Sequence, residues 1–253
     1  MRPNDHRPAV TKPSQRTLAV KRVFDVAVSG LAIILLLPVF MIVAAAIKID
    51  SHGPVFFRQS RVGRDGHLFR IFKFRSMVDG AAQAGSALTV HDDPRITRLG
   101  AFLRARKIDE LPQLFNVFAG SMSLVGPRPE VPEYMEFYTR EQRAVILSMQ
   151  PGITDHAAVL FRDENEMLDG ESDPVSVYRH RIMPIKYALY ERYSREIGLL
   201  TDLRLISSTV ALLVLPKSWQ RFETGLEPSI PAVTGTIVGH KPDGDRLDQI
   251  SNG

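Results

Sequence analysis

The segment from Val26 to Ile49 is almost purely apolar, with Lys48 as its only charged residue. A helix of this length is long enough to cross the hydrocarbon core of a bilayer. Because so large an apolar surface must be covered by lipid or protein, this segment constrains the fold more than any other. Three interpretations compete for it: a transmembrane span, a signal peptide with Ala44-x-Ala46 as its cleavage site, and a helix that enters the membrane and returns to the same side.

The flanking charges and one proline favour the returning helix. A spanning helix usually carries its positive excess on one side only, whereas here basic residues lie on both sides. Pro38 lies near the middle, where it removes a backbone donor and bends the helix. A signal peptide would have too long an apolar region and an unusually extended leader. The sequence therefore predicts a mobile tail over residues 1–19 and a re-entrant membrane helix over 20–50. The flanking cations are Lys12, Arg16, Lys21 and Arg22 before the segment and Lys48, Arg58, Arg61 and Arg64 after it.

Composition and missing motifs exclude several kinds of chemistry. The chain of 253 residues has no cysteine, which excludes a disulfide framework, a thiolate nucleophile and cysteine-ligated metals. The sequence has no H-E-x-x-H spacing, Walker A loop, G-x-G-x-x-G or G-x-S-x-G motif. The net charge of +4 suits an anionic partner, which includes nucleic acids, phosphorylated small molecules and acidic membrane surfaces.

The remainder of the chain predicts a helix-dominated α+β domain over residues 51–215, followed by a tail over 216–253. Two runs rich in Phe, Val and Ile around an Arg-Asp-Gly turn are typical of a β-hairpin. Lys73 and Arg75 alternate along its second strand, so they are expected to point the same way and form a paired cationic surface. Two solvated charges on an exposed strand would fit the same pattern.

Helical spacing predicts two helices between Pro94 and Ala119 that meet near residues 107–109. Pro112 is tolerated only in a first turn, so the second helix is expected to begin at about Asp109 and to stop at Gly120. Two further helical regions are predicted on either side of a turn at "QPGIT". The second ends in an apolar stretch interrupted by charges, which suits a helix lying on a membrane surface or packed under the domain. These regions cover residues 131–150 and 175–215, and the turn covers 150–154.

Asp109 and Glu110 form an acidic pair at the expected start of that second helix. The simplest interpretation is a helix cap followed by a first-turn acid. A helix N-terminus also keeps a carboxylate ionised and presents amide donors to a phosphate, so the position suits a nucleophile as well. Nearby cations would lower the pKa of a carboxylate and pair with phosphate oxygens. This combination favours phosphoryl transfer. The candidate cations are Arg104, Lys73, Arg75 and Arg128.

Four motifs in one order resemble the bacterial sugar transferases, the monotopic phosphoglycosyl transferases, over roughly residues 20–215. The motifs are "KRVFDV", "RQSRVGRDGHLFRIFKFRSM", "DPRITRLGAFLR" and "IDELPQLFNVFAGSMSLVGPRPE". The resemblance implies transfer of a sugar 1-phosphate from a UDP-sugar to polyprenyl (undecaprenyl) phosphate, the initiating step of polysaccharide or glycoconjugate synthesis. It also implies Mg²⁺, membrane lipids as partners, and a location at the cytoplasmic face of the bacterial inner membrane. A homodimer is compatible with it.

The resemblance also assigns roles to individual residues. It makes Asp109 the nucleophile that carries a covalent phosphosugar, with Glu110 as the second member of the catalytic pair, and both are expected to hold the metal. The expected phosphate-binding cations are Arg104, Lys73, Arg75 and Arg128, and the residue expected to break the membrane helix is Pro38.

The chain departs from the common family pattern at several positions. Leu37 stands where many members have Ser before the helix-breaking proline, Lys107 replaces a small polar residue, and Ser121 replaces an Asp. Asp155 and His156 lie in "PGITDHAAVLFRDE", where the common form reads "PGITGWAQVNGR". This last change is expected to alter sugar preference rather than to abolish activity.

Two other classes of function remain as alternatives. A catalytically silent membrane scaffold would keep the fold, but the intact acidic pair and its cations argue against it. A basic nucleic-acid binder would carry its cations along one stripe with exposed stacking aromatics. Because the Phe residues here follow core spacing, no nucleic-acid partner is expected.

Overall fold

The computed structural model describes residues 14–81, 93–160 and 173–214. Helices dominate this part of the chain, and the strands are few and short. The predicted helix-dominated α+β class is therefore confirmed. The predicted C-terminal tail and the first thirteen residues of the predicted N-terminal tail lie outside the described residues.

The described residues begin with one long helix followed by the predicted hairpin. Helix α1 (Gln15–Asp50) starts at its cap Ser14, whose hydroxyl accepts the Thr17 amide, and so begins earlier than the predicted residue 20. Strand β1 (Phe56–Val62) pairs antiparallel with β2 (Leu68–Phe74). The tight turn between them has Asp65 in the left-handed region at φ 56°. The remaining elements are α2 (Arg98–Ala105), α3 (Gln113–Ala119), β3 (Ser123–Val125), α4 (Pro132–Met135), α5 (Arg140–Leu147), β4 (Gly152–Thr154), α6 (His156–Leu160), α7 (Pro174–Val177), α8 (Met183–Glu196) and α9 (Leu199–Val214).

The acidic pair does not begin a helix, which corrects one prediction. Pro112 is the N-cap of α3 rather than a residue of its first turn, so α3 begins at Gln113. Asp109 lies instead in a short 3₁₀ turn, Ile108–Glu110, between α2 and α3. The predicted stop at Gly120 is confirmed: its φ of 93° ends α3, and its amide donates to the Asn116 and Val117 carbonyls.

The segment predicted as a turn at "QPGIT" is partly a strand, which is a second correction. Residues Gly152–Thr154 form β4, which pairs in parallel with β3. The pairing brings two glycines together, because a Cβ on Gly126 would lie 2.1 Å from the Gln150 carbonyl oxygen. The local Pro-Gly motif predicts a turn and gives no sign that two backbone segments approach so closely.

The two longer helical predictions are interrupted. The region 131–150 contains α4 and α5, separated where Thr139 forms a capping box with Gln142 at the start of α5. The region 175–215 contains α7, a π-helical turn over Tyr178–Ile182, α8 and α9. Helix α9 leaves a set of apolar side chains exposed, as an interfacial helix would. They are Leu200, Leu203, Val210, Leu213 and Val214.

Helix α1 is long and apolar enough to cross a membrane, and it packs on the domain in two separate stretches. Its buried residues are Lys21, Asp25 and Ser29 near one end and Phe40, Val43 and Ile47 near the other. Spacings of three and four place each set on one helix face. Within residues 30–39, which include Pro38, the structure buries no side chain. The two ends of α1 therefore contact the domain, whereas its apolar middle is not buried by it.

Polar contacts hold the first of these stretches. Lys21 forms a buried ion pair with Asp202 of α9, and the Tyr193 hydroxyl donates to the same carboxylate at 2.7 Å. Asp25 accepts the Leu124 amide of β3 at 3.1 Å. Removing one partner of a buried ion pair typically costs about 3–5 kcal/mol, because the other charge stays buried. These contacts fix the start of α1 against β3 and α9.

Candidate active site

Asp109 is a buried carboxylate with an unsatisfied oxygen. Its side chain lies in the 3₁₀ turn, preceded by Lys107, which adopts the left-handed conformation with φ 56°. The residue is only 6% exposed. Its Oδ1 atom has no hydrogen-bond partner among the residues that the structure describes. Since buried polar atoms are normally paired, this oxygen marks a place where a ligand can bind.

Glu110, the next residue, is paired with two cations from different parts of the chain. The Lys73 Nζ of β2 donates to Oε1 at 2.8 Å. Arg128 donates from Nη2 to Oε1 at 2.8 Å and from Nη1 to Oε2 at 3.4 Å. The hairpin and the Gly-Pro-Arg-Pro loop therefore meet at one carboxylate, which fixes both cations next to Asp109.

The two adjacent carboxyls have pKa values displaced in opposite directions. Burial raises the pKa of Asp109 and the charge of Glu110 adds to this, although Lys73 and Arg104 act to lower it. Burial alone would also raise the pKa of Glu110, but the charges and hydrogen bonds of Arg128 and Lys73 outweigh it and hold that pKa well below its usual range. Divergent pKa values in one pair of carboxyls are typical of catalytic sites that give the two groups different tasks.

The loop that carries Arg128 is held from two sides. On one side, the Gly126 amide donates to the Thr154 carbonyl at 3.0 Å, and the Arg128 amide donates to Asp155 Oδ2 at 3.0 Å. On the other side, Arg61 of β1 donates from Nη1 to the Pro129 carbonyl at 3.1 Å. The two flanking prolines also fix the backbone φ angles. Arg128 is therefore presented by a rigid loop.

The structure brings together most of the predicted site residues. Lys73 and Arg128 contact Glu110 directly, and Arg104, near the end of α2, is close enough for its charge to act on Asp109. Arg75 does not join them. Its Nη2 donates to the carbonyl and hydroxyl of Ser51 at 2.7 and 2.9 Å, so it is buried against the end of α1. Arg75 follows the last residue of β2, and the predicted paired cationic surface of Lys73 and Arg75 is not formed.

Several residues near the site had no local signal in the sequence. Arg61 is buried behind the loop, and burial together with the charge of Arg128 lowers its pKa. Glu130 is also buried and accepts the Tyr178 hydroxyl at 2.8 Å, while Lys186 donates to that hydroxyl at 3.2 Å. The sequence offers one signal for two of these residues, which is their charge. Arg61 lies on a predicted strand, and Glu130 directly follows the loop.

The departures from the family pattern have different surroundings. Lys107 is exposed in its left-handed turn, and Leu37 is exposed beside Pro38. The Ser121 hydroxyl donates to the Asn116 carbonyl at the end of α3. Asp155 is buried and bonded to two backbone amides. Its expected influence on sugar preference stays a prediction.

The acidic pair is the candidate place for Mg²⁺. The described residues contain no group of three or more His, Cys, Asp or Glu side chains arranged to hold a metal. Mg²⁺, however, usually binds through one or two carboxylates plus substrate phosphates and waters. The unpaired oxygen of Asp109 beside the Glu110 carboxylate fits that second arrangement.

A buried carboxylate among cations suits an enzyme that acts on phosphorylated substrates, and α1 is long and apolar enough to cross a membrane. The chain belongs to the bacterial sugar transferase family, whose model matches residues 16–216. This confirms the resemblance and places the protein among the phosphoglycosyl transferases.

Curated relatives support the assignment. An exopolysaccharide production protein of Rhizobium leguminosarum is 38% identical over 76% of this chain and 94% of its own length. A putative undecaprenyl-phosphate N-acetylgalactosaminyl 1-phosphate transferase of Bacillus subtilis is 40% identical over 54% of this chain and 76% of its own length. An undecaprenyl-phosphate glucose phosphotransferase of Komagataeibacter xylinus is 45% identical over 58% of this chain, but the match spans only 29% of that protein.

Proposed function

We propose that this protein transfers a sugar 1-phosphate from a UDP-sugar to undecaprenyl phosphate and releases UMP, thereby initiating the synthesis of an exopolysaccharide or related glycan. The observation that carries this proposal is the buried, unpaired oxygen of Asp109 beside a carboxylate that two cations hold in place. The names of relatives at 40% and 45% identity combine undecaprenyl phosphate with the transfer of a sugar phosphate.

The chemistry proceeds in two displacements. Asp109 Oδ1 attacks the β-phosphorus of the UDP-sugar, the bond from that phosphorus to the bridging oxygen breaks, and UMP leaves. An oxygen of undecaprenyl phosphate then attacks the same phosphorus, and the bond to Asp109 breaks. The products are a lipid diphosphate sugar and the regenerated carboxylate.

The neighbouring residues stabilise charge and geometry. Arg104, Lys73 and Arg128 face the negative charge that accumulates on the phosphoryl oxygens. Glu110 remains ionised because its cations hold its pKa low, and in return it fixes Lys73 and Arg128. Mg²⁺ held by Asp109 and Glu110 would neutralise further phosphate charge when bound.

We place the active site on the cytoplasmic face of the inner membrane, with α1 re-entrant around Pro38. Both halves of α1 contact the same short helix: Arg22 donates to the Val117 carbonyl at 2.6 Å, and the rings of Phe40 and Phe115 lie 5.6 Å apart. Pro38 lies in the unburied middle of α1, where it removes a backbone hydrogen bond, and a bend there would let the helix turn back towards the side from which it entered.

UMP release is the experiment that tests the proposed reaction. The purified protein in detergent, with Mg²⁺ and undecaprenyl phosphate, is expected to release UMP from at least one member of a panel of UDP-sugars. Omission of the lipid phosphate should limit release to at most one UMP per protein, because the adduct cannot turn over. A full panel without any UMP would favour the silent scaffold instead.

The fall of kcat/KM at acidic pH should follow the ionisation of Asp109. The nucleophile must be ionised, so kcat/KM falls as the pH drops through its pKa, and burial moves that fall above the ordinary Asp value of 3.8. Lys107→Asn removes a cation that lowers this pKa, and Asn tolerates the left-handed backbone. The acid limb should therefore move to higher pH in Lys107→Asn and stay in place in Lys107→Arg. If the acid limb of the profile moves in neither variant, it reports the ionisation of a group other than Asp109.

A further inference from the structure

Asp155 is a buried carboxylate that the proposed chemistry does not use. It follows β4 directly, is 2% exposed, and divides its two oxygens between two backbone amides. Oδ1 accepts the Ala158 amide at 2.5 Å, which caps the start of α6. Oδ2 accepts the Arg128 amide at 3.0 Å. One side chain thus joins the segment after β4 to the loop that carries Arg128.

The contact with Arg128 is unusual because that loop has few backbone donors. Pro127 and Pro129 have no amide hydrogen, so Arg128 supplies the only N–H between residues 127 and 129. The Arg128 backbone is therefore anchored by its bond to Asp155, while its guanidinium reaches Glu110. A continuous path of hydrogen bonds runs from Asp155 through Arg128 to the carboxylate beside Asp109.

We propose that Asp155 is a positioning residue that orients Arg128, and through it Glu110, for the transfer reaction. The proposal rests on the proposed function above. Asp155 acts through the loop, since both of its oxygens are bonded to backbone amides.

A carboxylate suits this task better than an amide. Both Asp155 oxygens act as acceptors, whereas an Asn side chain offers one oxygen and one NH₂ donor. In Asp155→Asn, the new NH₂ group would face the backbone amide of either Ala158 or Arg128. Because both groups are donors, one of the two hydrogen bonds is lost. The cap on α6 and the anchor on Arg128 then compete for the remaining oxygen.

Hydrogen exchange tests the anchor without depending on activity. In the intact protein in detergent micelles, the Arg128 amide should be protected, and Asp155→Ala, which removes both acceptor oxygens, should speed its exchange by about tenfold or more. The Gly126 amide serves as an internal control, because it donates to the Thr154 carbonyl and not to Asp155. An unchanged Arg128 amide would overturn the proposal, as would equal acceleration of both amides, which would indicate general loosening of the fold.

A double-mutant cycle tests the effect on catalysis. Asp155→Asn should lower kcat/KM for UMP release by about tenfold, since small displacements of a substrate-positioning group are costly. In an Arg128→Ala background it should change kcat/KM by less than about twofold, because the route through Arg128 is already lost. Asp173→Asn is the matched control: Asp173 caps α7 by accepting the Ser176 amide, but it is exposed.

The outcomes of the cycle are distinguishable. If the reductions in kcat/KM caused by Asp155→Asn and by Arg128→Ala multiply fully in the double variant, Asp155 acts independently of Arg128, and the proposal is overturned. An Asp173→Asn loss as large as that of Asp155→Asn would attribute the effect to helix capping and overturn it as well. Failure of the parent protein to release UMP would instead reject the proposed function, and the exchange experiment would still decide whether Asp155 anchors Arg128.

Discussion

Asp109→Asn is expected to reduce UMP release by at least about a thousandfold, the scale seen when a nucleophile is removed. An amide is a very poor nucleophile towards phosphorus, and the rest of the site would still bind substrate. The variant should keep its fold. Burial raises the pKa of Asp109, so its ionised form costs folding free energy that the neutral amide does not. The melting temperature of Asp109→Asn should therefore equal or exceed that of the parent.

Asp65→Asn provides the control for this change. Asp65 lies in the exposed hairpin turn, and Asn is equally suited to its left-handed backbone. It should leave UMP release unchanged. Mass spectrometry of the parent incubated with UDP-sugar alone should find the phosphosugar on Asp109. Near-normal turnover by Asp109→Asn, with deamidation excluded, or an adduct on another residue, would show that the covalent mechanism is wrong.

Features set by neighbouring residues could be predicted from the sequence. The hairpin follows from alternating apolar residues around Arg-Asp-Gly, and the end of α3 follows from Gly120, whose positive φ a glycine adopts without strain. The approximate composition of the site also follows, because the acidic pair and the Gly-Pro-Arg-Pro loop lie close together in the chain. Local rules describe these elements because local contacts determine them.

Features that depend on contacts between distant segments could not be predicted in the same way. The pairing of β3 with β4 relies on the close approach of Gly126 and Gly152, and it turns a Pro-Gly-Ile-Thr motif into a strand. The different partners of Lys73 and Arg75 depend on where Glu110 and the end of α1 lie. The start of α3 was misplaced because Pro112 fits both a first turn and a cap.

The second large prediction is that both ends of α1 lie on the cytoplasmic side of the membrane. Parent protein with single cysteines at Ser14→Cys or Glu133→Cys, in a chain that has no other cysteine, should be protected from a membrane-impermeant thiol reagent in intact cells. Both sites should react after permeabilisation, because both are exposed on the protein. Labelling of either site from outside would contradict the re-entrant helix.

Pro38→Leu should shift this topology, and the size of the shift follows from two opposing free energies. Proline within a straight helix costs about 3 kcal/mol, so its removal favours a straight, membrane-spanning α1 by that amount. Straightening would also carry Lys21 away from Asp202, and leaving one buried charge unpaired costs about 3–5 kcal/mol. Because these effects nearly balance, Pro38→Leu alone should expose only part of the Ser14→Cys population to the external reagent.

Combining Pro38→Leu with Lys21→Leu should make the labelling of Ser14→Cys nearly complete. The second change removes the ion pair that holds the start of α1 on the domain, and it also removes a positive charge that favours retention of the N-terminus in the cytoplasm. Glu133→Cys should stay protected in the same background, since the domain after α1 keeps its own side. Protection of Ser14→Cys in both backgrounds would mean that contacts other than the bend at Pro38 and the Lys21–Asp202 pair set the topology.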